Sequence, residues 1–347
     1  MPTQVESPCY RAVALQAACH CVNRCQTRTE SQVLIDGAID RLAGAIRSAI
    51  GFFGPSTRLF VLPEYVLTGF PMGESTAQWI EKACIRIPGP EIDRFAAHAT
   101  TLNAWIAGNS YEVDPAWPGR YFQACWIVGP SVGLVLKYRR LNSLFTPSPH
   151  DFWTEYRERY TLREVFPVAD TPLGRLAAIA SEEILFPEVA RCLMMHGAEV
   201  FVHATSDIGG HARNPKEIAK LARAYENAAY VVSANTAGLH GTAMPAQSAD
   251  GRSKIVDYAG LVLAEVEQGE TIGASATLDL GALRRYRRQT GMANLVARQR
   301  FELYAPMYSS HSFTPPDQAK EPIQSRAQLL ALQEQTIANL VQSGVIL

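Results

Sequence analysis

The sequence predicts a layered α/β protein, and three observations carry that prediction. Strand-like segments alternate with segments of helical period along the chain. Several strands are continuous apolar runs, as strands covered on both faces are. Reactive side chains stand at the ends of those runs: Glu64 in "FVLPEY", Lys137 in "LVLKYRR" and Ser181 in "AIASEE". Strand ends are where α/β folds build sites, because the sheet holds the groups rigidly while the loops admit a ligand. At 347 residues and 47% hydrophobic content the chain can bury a large core, and one large layered domain fits that length.

The first strand is "YRAVALQAA", residues 10–18. Ile35, Ile39, Leu42 and Ile46 then fall on one face of a helix that "FFGPS" stops. "RLFVLPEY" (58–65) is a buried strand ended by Pro63, so that Glu64 opens at its C-terminal end. The helix "GPEIDRFAAHATTLN" leads into the strand "AWIAGNSYE", and "FQACWIVGP" and "GLVLKYRR" form a hairpin through "GPSVG". Residues 142–165 show no clean period and read as a long loop with one short helix, of the kind that serves as a lid or binding loop. "GRLAAIA" is a strand, "FPEVARCLMMHGAE" a helix and "VFVHATS" a strand. "NPKEIAKLARAYENAAY" opens with Asn214 as cap, Pro215 in the first turn and Glu217 placed for a capping box. "VVSANTAG" and "KIVDYAGLVLAEVE" add strands. Beyond "ATLDLGALRRYRRQTG", residues 305–323 are rich in Pro, Ser and His, and 327–345 form an amphipathic helix. The domain reading is therefore 1–310 as the main body and 311–347 as a C-terminal extension.

The formal charge of −1 leaves no electrostatic footprint for nucleic acid or an anionic membrane. The run "RRYRRQ" (284–289) is short and reads as a solvated or subunit-facing surface. No apolar run is long enough to span a bilayer, and "MPTQVESPCYRA" lacks the basic-then-apolar order of a secretion signal. A cytoplasmic protein with a small neutral partner, and neither nucleic acid nor membrane, is the expectation. Seven irregularly spaced cysteines argue for free thiols rather than a disulfide framework. Cys19, His20, Cys21 and Cys25 lack the second half of a zinc site, so no metal is expected.

Singly, Glu64, Lys137 and Ser181 are weak signals, since a charged strand end is usually a solvated cap and a serine before a helix is usually an N-cap. Their order and surroundings carry more. The segments "VALQAA", "LFVLPEYVLTGF", "KYRRLN", "TPLGRLAAIASEEILFPEVARCLMMHGAEV", "ARAYENAAYVVSANTAG" and "GRSKIVDYAGLVLAEV" together resemble the carbon-nitrogen hydrolase family, the nitrilase superfamily, over residues 11–310. The resemblance implies a four-layer α-β-β-α sandwich, a homo-oligomer (dimer or larger), no cofactor, and a Glu-Lys-Cys site that attacks an amide, nitrile or carbamoyl carbon. It maps the general base onto Glu64, the charge-stabilising lysine onto Lys137 and the nucleophile position onto Ser181. Glu182, through its backbone N–H, Glu183 and Glu188 become oxyanion or support residues, and Tyr65, Phe186 and His203 pocket residues. A second carboxylate found in many members has Glu155 and Glu158 as candidates here. Arg223, Glu226 and Asn227 read as an ion-paired support beneath the site, and Cys192 as a helical thiol rather than a relocated nucleophile.

The serine changes the chemistry. A thiol of pKa about 8.5 can yield its proton to a buried carboxylate beside a cation, whereas a serine hydroxyl is a far weaker acid and needs further activation. Ser181 is either an engineered replacement of cysteine or native. A native serine leaves open an enzyme of altered chemistry or a non-catalytic binding or assembly protein on the same scaffold. Ala180 and Glu182 also depart from the usual cysteine-containing run, which favours a native serine. The function expected is hydrolysis of the C–N bond of a small amide or N-carbamoyl compound, with nitrile conversion as the alternative within the family. Glu182 stands where true nitrilases commonly carry Trp, which ranks amide above nitrile.

Overall fold

The computed structural model describes residues 8–209, 214–319 and 321–347. Most of the N-terminal stretch read above for a secretion signal lies outside them. Two six-stranded sheets are present. The first has the order β12 (Thr271–Asp279), β1 (Cys9–Gln16), β2 (Thr57–Val61), β3 (Trp105–Glu112), β4 (Phe122–Gly129), β5 (Gly133–Arg139). Strands β1, β2 and β3 run parallel, while β12, β4 and β5 pair antiparallel with their neighbours. The second sheet has the order β11 (Val262–Glu265), β10 (Lys254–Val256), β9 (Tyr230–Asn235), β8 (Val200–Thr205), β7 (Gly174–Ala180), β6 (Ala169–Thr171), with β7, β8 and β9 parallel.

The period-2 alternation of strand side chains separates the layers. Ala12, Ala14, Leu59, Val61, Cys125 and Ile127 point from the first sheet into a core shared with β7, β8 and β9. Their neighbours Val13, Leu15, Phe60 and Trp126 point the other way, onto α1 (Arg28–Phe53), α2 (Thr76–Ala83) and α3 (Pro90–Leu102). The heptad-like row Ile35, Ile39, Leu42 and Ile46 is the buried stripe of α1. In the connection between the sheets lies α4 (Trp153–Arg159), and α5 (Pro187–Met195) and α6 (Pro215–Asn227) cover the second sheet through Val189, Leu193, Ala219 and Ala224. The result is the four-layer α-β-β-α sandwich.

Several local expectations change. Residues 142–165 hold more helix than one short piece, with a 3-10 turn at Pro149–Phe152 before α4 and a further turn at Leu162–Val165. The capping box at α6 does not form: Asn214 accepts from the Lys216 N–H at 3.0 Å, but Glu217 turns to Lys220 at 2.5 Å and to Lys254 instead of reaching back. The "KIVDYAGLVLAEVE" run is two strands, because Asp257 accepts from the N–H groups of Ala259 and Leu261 and closes a turn between β10 and β11. The basic run lies on α7 (Leu280–Arg288), where Arg285 and Arg288 are exposed as expected while Arg284 and Arg287 are used inside the chain. Arg284 pairs with Glu199 at 2.7 Å, and Arg287 donates to the carbonyls of Ala198 and Ala228. Helix α8 (Phe301–Ser309) precedes the C-terminal extension, which carries α9 (Arg326–Gln342); Thr76 at the start of α2 holds the extension by bonds to the carbonyls of Ile323 (2.5 Å) and Gln324 (3.2 Å).

Candidate active site

Glu64 follows β2 at its C-terminal end, and its N–H donates to the Thr205 carbonyl at 3.2 Å, tying the two sheets together. The carboxylate is only 1% exposed. It accepts from Gln123 Nε2 at 2.5 Å and Ser206 Oγ at 2.9 Å, and Arg140 Nη1 stands 3.4 Å away. Tyr65 stacks on Tyr111 with ring centroids 5.3 Å apart. Burial, and then the neighbouring Glu64 charge, push its phenol well above the usual value.

The cation of the site is Arg140, not Lys137. Alternation along β5 decides it: Tyr138 pairs in register with Cys125, which faces the inter-sheet core, whereas Lys137 pairs with Trp126, which faces the helices. Lys137 therefore leaves the site and binds Glu112 at 2.6 Å and the Ile87 carbonyl at 2.9 Å. Arg140, one step past the strand, shares the side of Tyr138. Its guanidinium meets Glu64, Gln123, Glu182 and the Asn142 carbonyl. Burial works against that charge, but the carboxylates of Glu182 and Glu64 hold the guanidinium above its ordinary pKa.

Ser181 directly follows β7 and starts the 3-10 turn Ser181–Leu185 with φ of 49°, in the left-handed region that costs a non-glycine residue energy. Three groups hold it there. His203 Nε2 lies 2.8 Å from the Ser181 carbonyl, and His203 Nδ1 lies 2.8 Å from Ser233 Oγ. Burial lowers the His203 pKa to about 3, so the ring is neutral and acts as a buttress behind the turn rather than as a pocket wall. Arg223 bonds the carbonyls of Ile184 and Leu185 and pairs with Glu226 at 2.7 Å, while Asn227 bonds the Arg223 carbonyl. At the hydroxyl itself, Lys216 Nζ donates to Ser181 Oγ at 3.1 Å.

Glu183 is fully buried and accepts from Tyr138 Oη and from the N–H groups of Leu141 and Asn142. Burial raises its pKa to about 7 against the pull of Arg140 and these donors. Glu182 binds Arg140 and the Leu144 N–H at 2.9 Å. Besides Lys137, four sequence candidates lie away from this cluster. Glu155 and Glu158 are on the exposed side of α4, Glu155 paired with Arg159 at 2.8 Å, because the buried face of that helix is given to Tyr156. Glu188 is exposed in the first turn of α5 and accepts from Tyr308 Oη, and Phe186 is 41% exposed.

Sequence reading missed Arg140, Gln123, Ser206 and Lys216. Gln123 did leave a signal, as a polar side chain in phase with the inward Cys125 and Ile127. Lys216 left none, since "NPKE" reads as a helix start. Cys19 and Cys21 approach to 3.7 Å between sulfurs, all seven cysteines are unpaired thiols, and no group of three or more potential metal ligands occurs among the described residues.

The family model for carbon-nitrogen hydrolase matches residues 10–288. The chain belongs to the carbon-nitrogen hydrolase family. Its relatives include formamidases of Bacillus cereus (strain B4264) and Bacillus thuringiensis (strain Al Hakam), each 29% identical over 217 residues, covering 61% of this chain and 60% of theirs. This member thus spans less than two thirds of the length of those relatives. Among solved structures, a carbon-nitrogen hydrolase from Helicobacter pylori G27 aligns with TM-score 0.66 at 18% identity, over 86% of this chain and 98% of that one. An amidase from Nesterenkonia sp. aligns with TM-score 0.60 at 16% identity, over 86% and 96%. At these identities the structural likenesses show the shared fold.

Proposed function

We propose that this carbon-nitrogen hydrolase cleaves the C–N bond of a small, neutral amide or N-carbamoyl compound at Glu64, Arg140 and Ser181. The observation that carries the reading is the Glu64 carboxylate, buried between the sheets and fixed by Gln123, Ser206 and Arg140. Pre-fixed groups of this kind suit proton transfer, because no reorganisation is needed when charge develops. Ser181 Oγ attacks the carbonyl carbon and its proton passes to Glu64. The C=O π pair moves onto the carbonyl oxygen, which the backbone N–H of Glu182 and the Arg140 charge stabilise. Collapse of the adduct breaks the C–N bond, the leaving amine takes the proton from Glu64, and water activated by the same carboxylate releases the acyl group from Ser181. The amidase and formamidase names among the relatives support an amide over a nitrile.

A cytoplasmic location and a homo-oligomer remain part of this reading. Seven free thiols support the first, and the exposed Leu303, Tyr304, Met307 and Tyr308 of α8 support the second. No described helix is long and apolar enough to cross a membrane.

One observation favours the non-catalytic alternative: Glu182 neutralises Arg140 inside the site, which weakens its pull on an oxyanion. Turnover of the protein beside Ser181→Cys and Glu64→Gln, on amides, N-carbamoyl compounds and nitriles, separates the readings. Activity in the serine protein that Glu64→Gln abolishes is expected. Binding of amides without turnover by either the serine or the cysteine form would establish the ligand-binding alternative.

A further inference from the structure

Beside Ser181 stands a second cation that the resemblance does not assign. Lys216 is the second residue of α6, fixed through its N–H by Asn214. Its ammonium reaches Ser181 Oγ at 3.1 Å, Thr205 Oγ1 at 3.2 Å and Asp207 Oδ1 at 2.5 Å. These three acceptors use all three donors of an ammonium. Asp207 is itself built in: Thr205 Oγ1 donates to it at 2.9 Å, Asn235 Oδ1 accepts from its N–H at 2.8 Å, and Lys220 lies 3.8 Å away. Arg140, by contrast, is occupied by Glu64, Gln123, Glu182 and a carbonyl.

We propose that Lys216 is the positioning residue that activates Ser181, donating to its hydroxyl oxygen and stabilising the negative charge that grows there. The inference rests on the hydrolytic reading and adds to it the group that compensates for a serine in place of a thiol. An ammonium has no lone pair, so the Ser181 oxygen must accept from it, which leaves the serine's own proton free to be donated to Glu64. Lys216 gives up no proton and takes none; it supplies a fixed charge. Burial works to raise the Asp207 pKa, but the ammoniums of Lys216 and Lys220 pull it down to about 2, so Asp207 stays ionised and keeps Lys216 in place. The other groups around Ser181 do not take this role. His203 is neutral and bonds the serine's carbonyl, and Lys220 is turned to Glu217 at 2.5 Å.

The test uses a thiol as reporter at position 181. In the full-length Ser181→Cys protein, the ultraviolet absorbance of the thiolate, taken as a difference against the serine protein, gives the thiol pKa without any requirement for turnover. Adding Lys216→Gln or Lys216→Met should raise that pKa by about one unit or more, and adding Lys216→Arg should restore most of it. The glutamine variant keeps a hydrogen-bond donor, so the measurement survives if methionine prevents folding. In the serine protein the same Gln substitution should lower kcat by about tenfold or more and leave KM within about threefold, with partial rescue by Arg. A thiol pKa that stays put or falls when the ammonium is removed overturns the role of Lys216. If the pKa rises but no form turns over an amide, Lys216 stands as the charge beside residue 181 and the hydrolytic reading is what fails.

Discussion

Arg140→Met removes the cation from a buried carboxylate, and the structure sets the size of the effect. Arg140 and Glu64 have side chains 5% and 1% exposed. Removing one partner of a buried pair costs about 3–5 kcal/mol, because the other charge is left uncompensated. Glu64 keeps its bonds from Gln123 and Ser206, which places the loss near the lower end, about 3 kcal/mol. Glu182, 28% exposed and still bonded by the Leu144 N–H, relaxes towards water and adds less than about 1 kcal/mol. Equilibrium urea unfolding followed by tryptophan fluorescence at fixed protein concentration measures the loss. Glu64→Gln in the Arg140→Met background should recover about 1 kcal/mol or more, since the uncompensated charge is then gone. A loss under about 1 kcal/mol for Arg140→Met, or no coupling to Glu64, would refute the placement of Arg140 as the counter-ion of Glu64.

Lys137→Ala should leave turnover and amide binding unchanged, and cost no more than about 1–2 kcal/mol, because Glu112 keeps its two-pronged bond from Arg139. A collapse of activity in that variant would return the lysine to the site. Acid stability should depend on His203. Its folded pKa of about 3 lies below the ordinary value near 6.5, so the unfolded chain binds the extra proton and stability falls as pH drops from about 6.5 towards 3. Melting temperatures of His203→Asn should lose that slope. Glu183 acts in the opposite sense. With a folded pKa of about 7 against 4.5, the folded state binds the extra proton and stability falls as pH rises between those values, by on the order of 3 kcal/mol. Glu183→Gln should flatten that limb.

The architecture was legible because both sheets write it plainly. Apolar runs such as 58–62 and 174–180 match strands β2 and β7, and the Ile35–Ile46 row matches the buried stripe of α1. At the site, legibility depended on phase. Glu64 and Ser181 sit at strand ends, where position along the chain suffices to place them. Lys137 and Arg140 lie three residues apart in "KYRR", and an odd separation on a strand puts them on opposite faces. A motif match blind to that parity selected the lysine, which is the residue type the chemistry favours, over the arginine that the pleat delivers. Glu155 and Glu158 failed for the same kind of reason, since helical phase gives the inward face of α4 to Tyr156. Lys216 was not legible at all: its contact with Ser181 joins two elements 35 residues apart, and neither carries a period that points to the other.

Hydrolysis at this site requires that Ser181 form a covalent bond to its substrate. Rapid acid quench of the protein during reaction with a small amide, followed by intact-mass and peptide mass analysis, reads this. An acyl adduct on Ser181 should appear within the first turnover, be absent from Ser181→Ala and Glu64→Gln, and decay as product accumulates. Turnover that persists in Ser181→Ala, or an adduct on Cys192 instead, would contradict it.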